Sequence, residues 1–175
     1  KEFELELDNQ IQNYEVQFFD LVHDKLAQRI QESKAIYTDV LEAPFNYDID
    51  ETFQSDPENL EFVNSKKEMV DRWRKQLKLG TLSIYHDLIS EQSAKAEDAD
   101  FISKTKGELE SEARASTLKN LKETSVYFDD LRRDDWLAIY INSIAESFDP
   151  HTYYFAPQDK DRFDASMSGK YEGIG

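Results

Sequence analysis

Leu7, Ile11, Tyr14, Phe18, Val22, Leu26 and Ile30 recur in steps of three and four. That spacing gathers them on one face of an α-helix, whereas a strand would divide them between two faces. Ile36, Tyr37, Val40 and Leu41 carry the pattern toward Pro44, whose ring clashes with the turn before it, so one helix is expected to run from about Leu7 to that point. The same class follows for the whole chain from its turn residues. Five glycines and four prolines stand in 175 residues, where average usage gives roughly 12 and 9. An all-β fold needs a turn signal about every 8–12 positions, which this chain cannot supply. The expected fold is all-α, an irregular bundle of about five or six helices with a short strand-like piece at the C-terminus.

After a loop at 44–56, Asp56-Pro57 suits an N-cap followed by proline at the first helical position, and Ser65-Lys66-Lys67-Glu68 fits a capping box. Met69, Val70, Trp73, Leu77, Ile84, Tyr85, Leu88 and Ile89 follow at helical intervals, and one long helix through Gly80 is expected. Residues 91–107 are polar and acidic apart from Phe101-Ile102, which marks a linker or mobile loop. Thr105-Lys106-Gly107-Glu108 is a second capping box, opening a helix to about Tyr127. Asp134 can cap the next helix, which Asp149-Pro150 ends, and a last short helix should run from Pro157 to about Met167. Gly169, Gly173 and Gly175 lie in the last seven residues, a change of character that divides the chain into a helical domain, 1–168, and the opening of something else, 169–175.

Charge narrows the function. With 21 Lys+Arg against 37 Asp+Glu the net charge is −16. Phosphate backbones and anionic lipid surfaces are bound by clustered cations, so nucleic acid is not an expected partner. No apolar run approaches the ~20 residues that cross a bilayer, and direct membrane insertion is not expected. Aromatic residues make up 13% of the chain, enough large apolar surface to separate it from a disordered acidic tail.

The residues that carry chemistry are scattered. His23, His86 and His151 lack a second ligand at the helical spacing of a zinc pair, so no metal is expected. Asp48-Ile49-Asp50 resembles the start of a calcium loop, but Phe53 stands at the glycine position and Asn59 where a bidentate Glu is needed. Ser103-Lys104-Thr105-Lys106 and Ser116-Thr117-Leu118-Lys119 each satisfy the short S-x-x-K pattern without the accompanying glycine-rich oxyanion turn. No phosphate loop, dinucleotide fingerprint or nucleophile elbow is present, and neither a catalytic residue nor a cofactor is expected in this chain.

The segment Asn142-Ser143-Ile144-Ala145-Glu146-Ser147-Phe148-Asp149-Pro150-His151-Thr152-Tyr153-Tyr154-Phe155-Ala156-Pro157, continuing through Phe163 to Tyr171-Glu172-Gly173-Ile174-Gly175, resembles the junction before the PDZ domain of tail-specific, or C-terminal processing, serine peptidases. Arg72-Trp73-Arg74-Lys75-Gln76-Leu77-Lys78 is similar to their helical N-terminal region. The resemblance implies a periplasmic endopeptidase with a Ser-Lys dyad, whose helical N-terminal domain acts as scaffold, substrate-access or adaptor-docking module. It implies protein substrates with apolar or unstructured C-termini and a lipoprotein adaptor as partners. The PDZ body and both dyad residues are then expected beyond Gly175, and the chain itself is expected to be inert.

Within that resemblance, Asp149, Pro150, His151, Thr152, Tyr154 and Phe155 form a structural junction. The Asp149 carboxylate is expected to accept N–H groups of the following turn, His151 to fix the turn through its side chain, and Tyr154 and Phe155 to bury the exit segment. Gly173, Ile174 and Gly175 match the turn at the opening of PDZ domains that binds a peptide carboxylate through backbone N–H groups. The alternative reading is a free-standing acidic helical interaction protein with no protease attached.

Overall fold

The computed structural model describes residues 7–13, 15–96 and 101–168. Among them the chain forms six α-helices and one 3-10 turn, with no strand: α1 (Leu7–Gln12), α2 (Gln17–Val40), the 3-10 turn Pro57–Asn59, α3 (Lys66–Ala94), α4 (Lys106–Asp130), α5 (Arg133–Phe148) and α6 (Pro157–Ser168). The all-α class is as expected. The strand-like stretch expected near Tyr171–Gly175 lies outside the described residues.

The local signals explain most element boundaries. Asp56 accepts the Glu58 N–H at 3.0 Å and opens the 3-10 turn. Ser65 accepts the Glu68 N–H at 3.2 Å, while the Glu68 carboxylate reaches back to the N–H of Asn64 at 2.7 Å. Thr105 and Glu108 exchange the full reciprocal pair, 3.3 Å and 2.7 Å. Helix α3 runs unbroken through Gly80 for 29 residues.

Three boundaries differ from expectation, one of them only in extent: α3 runs to Ala94 and α4 starts at Lys106, inside the 91–107 stretch expected as a linker. The first helix is not continuous: Asn9, Gln10, Gln12 and Asn13 form a polar run whose side chains compete for main-chain groups. The Glu15 N–H turns back to the Gln10 carbonyl at 2.8 Å, and the buried Gln10 side chain accepts the Phe18 N–H at 3.1 Å, so a residue of α1 caps α2. Helix α5 begins at Arg133, ahead of the expected cap Asp134, because Asp135 accepts the Arg132 N–H at 2.8 Å. Asp134 sits inside the first turn, where a negative charge suits the helix dipole.

Two compact units divide the chain, Gln28–Val126 and the two ends, Lys1–Ala27 with Tyr127–Gly175. In the first, Tyr37, Leu41 and Leu77 form the buried centre, with Trp73, Phe45, Leu118 and Leu121 packed around them. Thr81 and Ala113 are fully buried, and the hydroxyls of Thr81 and Thr117 meet at 3.1 Å, so small side chains let α3 and α4 approach closely. In the second unit the core is aromatic. Phe19 packs on Tyr140 with ring centroids 5.5 Å apart, Trp136 stacks on Phe128 at 6.0 Å, and the Arg133 guanidinium covers the Phe19 ring at 5.1 Å while bonding Asp20 at 2.6 Å.

Gly80 is exposed inside α3, and a β-carbon added there meets nothing within 4 Å. Gly80→Ala should therefore raise the unfolding free energy by about 1 kcal/mol, read as a higher urea midpoint; an unchanged or lower midpoint contradicts this account of α3.

Candidate functional site

At the end of α5 the Asp149 N–H closes the helix on the Ala145 carbonyl at 3.0 Å. Its carboxylate then organises the next turn: Oδ1 accepts the His151 N–H at 3.0 Å and Oδ2 accepts the Thr152 hydroxyl at 2.8 Å. These two bonds, the backbone one first, hold the Asp149 carboxyl below the usual carboxylate range. The turn is an Asx turn, as its sequence requires. The group that meets Asp149 from His151 is the backbone N–H, in place of the side-chain bond expected of that residue.

The exit segment is fastened differently from expectation as well. Tyr154 and Phe155 are exposed, and what grips the segment is Asn142, a buried residue of α5. Its Oδ1 accepts the Tyr154 N–H at 2.7 Å and its Nδ2 donates to the Tyr154 carbonyl at 3.2 Å, which mimics a strand partner with one side chain. An amide inside the apolar run Ile139-Tyr140-Ile141 is the signal that could have found it, because asparagine is a poor interior helix former. Beyond the grip, Phe155 lies between Tyr153 and Phe163, with centroids 5.1 Å away in each case. Tyr153, Phe163 and, on the same helix, Met167 remain exposed.

No catalytic constellation accompanies this junction among the described residues. Ser103 lies exposed before α4. Ser116 stands on α4, and the lysine that follows it by three, Lys119, extends 3.8 Å from Glu123 on the exposed side. The hydroxyls of Ser33, Ser90, Ser93, Ser143 and Ser147 donate to main-chain carbonyls three or four residues earlier. His23 packs between Phe19 and Trp136, whereas His86 and His151 are exposed. Among the described residues no group of three His, Asp or Glu side chains could hold a metal ion.

The densest charge cluster serves the fold. Arg74 donates to both oxygens of Glu51 at 2.8 Å and 2.5 Å and to Asp71 at 2.9 Å, while Lys78 donates to Glu51 at 2.7 Å and to the Ile49 carbonyl at 3.1 Å. Arg74 first, then Lys78, pulls the Glu51 carboxyl down to about 2. Each charge is taken up by another, so the cluster pins the 42–64 segment to α3 and leaves no group free for a substrate.

The sequence model of the family described as "Tail specific protease N-terminal domain" matches residues 1–158. The chain belongs to that family. It is 33% identical over 72 residues to a tail-specific protease of Haemophilus influenzae, a match covering 41% of this chain and 10% of that relative's length. No solved structure matches it. Among the described residues no helix is long and apolar enough to cross a membrane.

The Asn142 grip has a direct readout. Two main-chain bonds of about 1 kcal/mol each correspond to roughly 30-fold in an opening equilibrium, so Asn142→Ala should speed hydrogen exchange at the Tyr154 amide by at least about tenfold while α3 amides keep their protection. Unchanged exchange at Tyr154 contradicts the assignment.

Proposed function

We propose that this chain is a non-catalytic domain of a periplasmic tail-specific serine endopeptidase, serving as scaffold and as docking or access module for protein partners. The family match across residues 1–158 carries this reading. The chemistry then belongs to a Ser-Lys dyad elsewhere in the protease, acting on envelope proteins selected by apolar or unstructured C-termini. The match of Gly173, Ile174 and Gly175 to a PDZ opening lies outside the described residues, and a lipoprotein adaptor is a partner of the helical body.

The geometry supports a docking role over a chemical one. Serine hydroxyls bond to helix carbonyls, the charge cluster is saturated, and large apolar side chains such as Phe62, Phe148 and Met167 stand exposed as protein-contact surfaces do. The Asn142 grip and the Asp149 turn fix the direction in which the chain leaves α5, and so position whatever follows.

If the domain docks proteins, the purified chain in excess should compete in trans. Added to the full-length protease, it should slow degradation of an unfolded protein substrate and leave cleavage of a short peptide unchanged. Absence of competition overturns the docking role, and substrate cleavage by the chain alone, abolished by Ser103→Ala or Ser116→Ala, overturns the non-catalytic reading.

A further inference from the structure

A residue whose N–H and carbonyl both bond one partner lies in extended backbone, because there the two groups point the same way. Tyr154 meets that condition: its N–H donates to Asn142 Oδ1 at 2.7 Å and its carbonyl accepts from Asn142 Nδ2 at 3.2 Å. The same geometry turns the main-chain groups of the residues on either side, Tyr153 and Phe155, toward the opposite edge. No described residue bonds them. The rings agree, since Tyr153 and Phe155 lie on one face with centroids 5.1 Å apart, as residues two apart in extended chain do. Residues 152–156 therefore form a strand-like segment with one edge taken by a side chain and the other open.

Nothing blunts that open edge. Natural edge strands carry charges or proline to prevent pairing, and Thr152-Tyr153-Tyr154-Phe155-Ala156 has neither while being rich in residues that favour strands. An apolar face adjoins it: Phe155 packs on Phe163 at 5.1 Å, Tyr153 is 57% exposed, and Met167, one turn beyond Phe163 on α6, is 73% exposed. The family match ends at residue 158, in the first turn of α6, so edge and face lie where the domain ends. The match to the Haemophilus influenzae protease covers 10% of that protein's length.

We propose that this edge and the adjoining Phe163–Met167 face receive a strand from the remaining body of the same polypeptide, so that the helical domain is built onto the protease by β-pairing. The inference rests on the reading of the chain as one domain of a protease, and it adds the surface that joins the two. Directed main-chain groups select an extended backbone as the occupant, since a helix satisfies its own N–H and carbonyl groups. The shortness of the edge then selects an attached one. An edge offering the bonds of two residues does not offset the freedom that a separate chain loses on binding. A strand on the same polypeptide meets the edge at an effective concentration on the millimolar scale.

Residue-resolved hydrogen exchange on the full-length protein tests this. The Tyr153 and Phe155 amides, which no described residue holds within the domain, should exchange at least about 30-fold slower than in an unfolded chain, the scale of two main-chain bonds. That protection should persist on dilution and be the same with or without an unfolded substrate. Phe155→Ala, which removes the ring between the edge and α6, should speed exchange at Tyr153 at least about tenfold while α3 amides stay protected. Exchange of both amides at the unfolded rate overturns the proposal, as does unchanged Tyr153 exchange in Phe155→Ala. Protection lost on dilution overturns it by making the occupant a second copy, and protection gained only with substrate overturns it by making the occupant a separate chain. If both amides exchange rapidly in a protein that carries a protease body, the edge assignment alone falls; a full-length protein without one overturns the underlying reading as well.

Discussion

The guanidinium of Arg114, on α4, completes the end of α2, which cannot satisfy itself. The carbonyls where a helix runs out have no partners within it, and here Arg114 donates to the two that directly follow α2, Leu41 at 2.8 Å and Glu42 at 3.1 Å. Through Nε it also bonds both oxygens of Glu110, at 3.0 Å and 2.9 Å, and Glu110 accepts the Phe45 N–H at 3.1 Å. One turn of α4 therefore fastens the chain on either side of Pro44. The positions of Leu41, Phe45 and Tyr47, and through them the contact with Trp73 and the Tyr47–Tyr85 stack, follow from that clasp.

Carboxamides repeat the device elsewhere. Gln10 caps α2 from α1, Asn142 pairs with Tyr154, and Gln92 exchanges two bonds with the Lys104 main chain, at 2.7 Å and 3.1 Å, to hold the approach to α4. A chain short of glycine and proline has few ways to fix its connections by turn geometry alone. Side chains from the helices bind the main chain of the connections instead. Buried apolar residues are few among those described, Phe19, Ile36, Tyr37, Leu41, Leu77, Leu109 and Ala113, so polar clasps carry a larger share of the specificity than in an oil-filled bundle.

This division explains what could be read from the residues. The caps at Asp56, Ser65 and Thr105 were legible because each partner lies two or three positions away. The unbroken α3 was legible because its apolar period outlasts Gly80. The clasp of Arg114 was not, since its partners lie more than 70 positions earlier and arginine on a helix is ordinarily solvated. Gln10 was hidden because its bond to Phe18 follows no recognisable spacing, and Asn142 showed only as an amide beside the apolar run Ile139-Tyr140-Ile141, which does not name its partner. At the junction the Asp149 turn followed from sequence, whereas the burial expected of Tyr154 and Phe155 did not, because Asn142 holds the main chain and leaves the rings outside.

Arg114, Gln10, Asn142 and Gln92 are thus occupied in holding the chain's own connections. The central physical claim is that clasps between helices and main chain, and not the apolar core alone, hold it together. Urea unfolding of Arg114→Leu beside Lys119→Leu tests it most directly, because both cations belong to α4 and only the first is buried against main-chain carbonyls. The account predicts a loss of about 3 kcal/mol or more for Arg114→Leu and less than about 0.5 kcal/mol for Lys119→Leu. Equal, small effects of the two substitutions would contradict it.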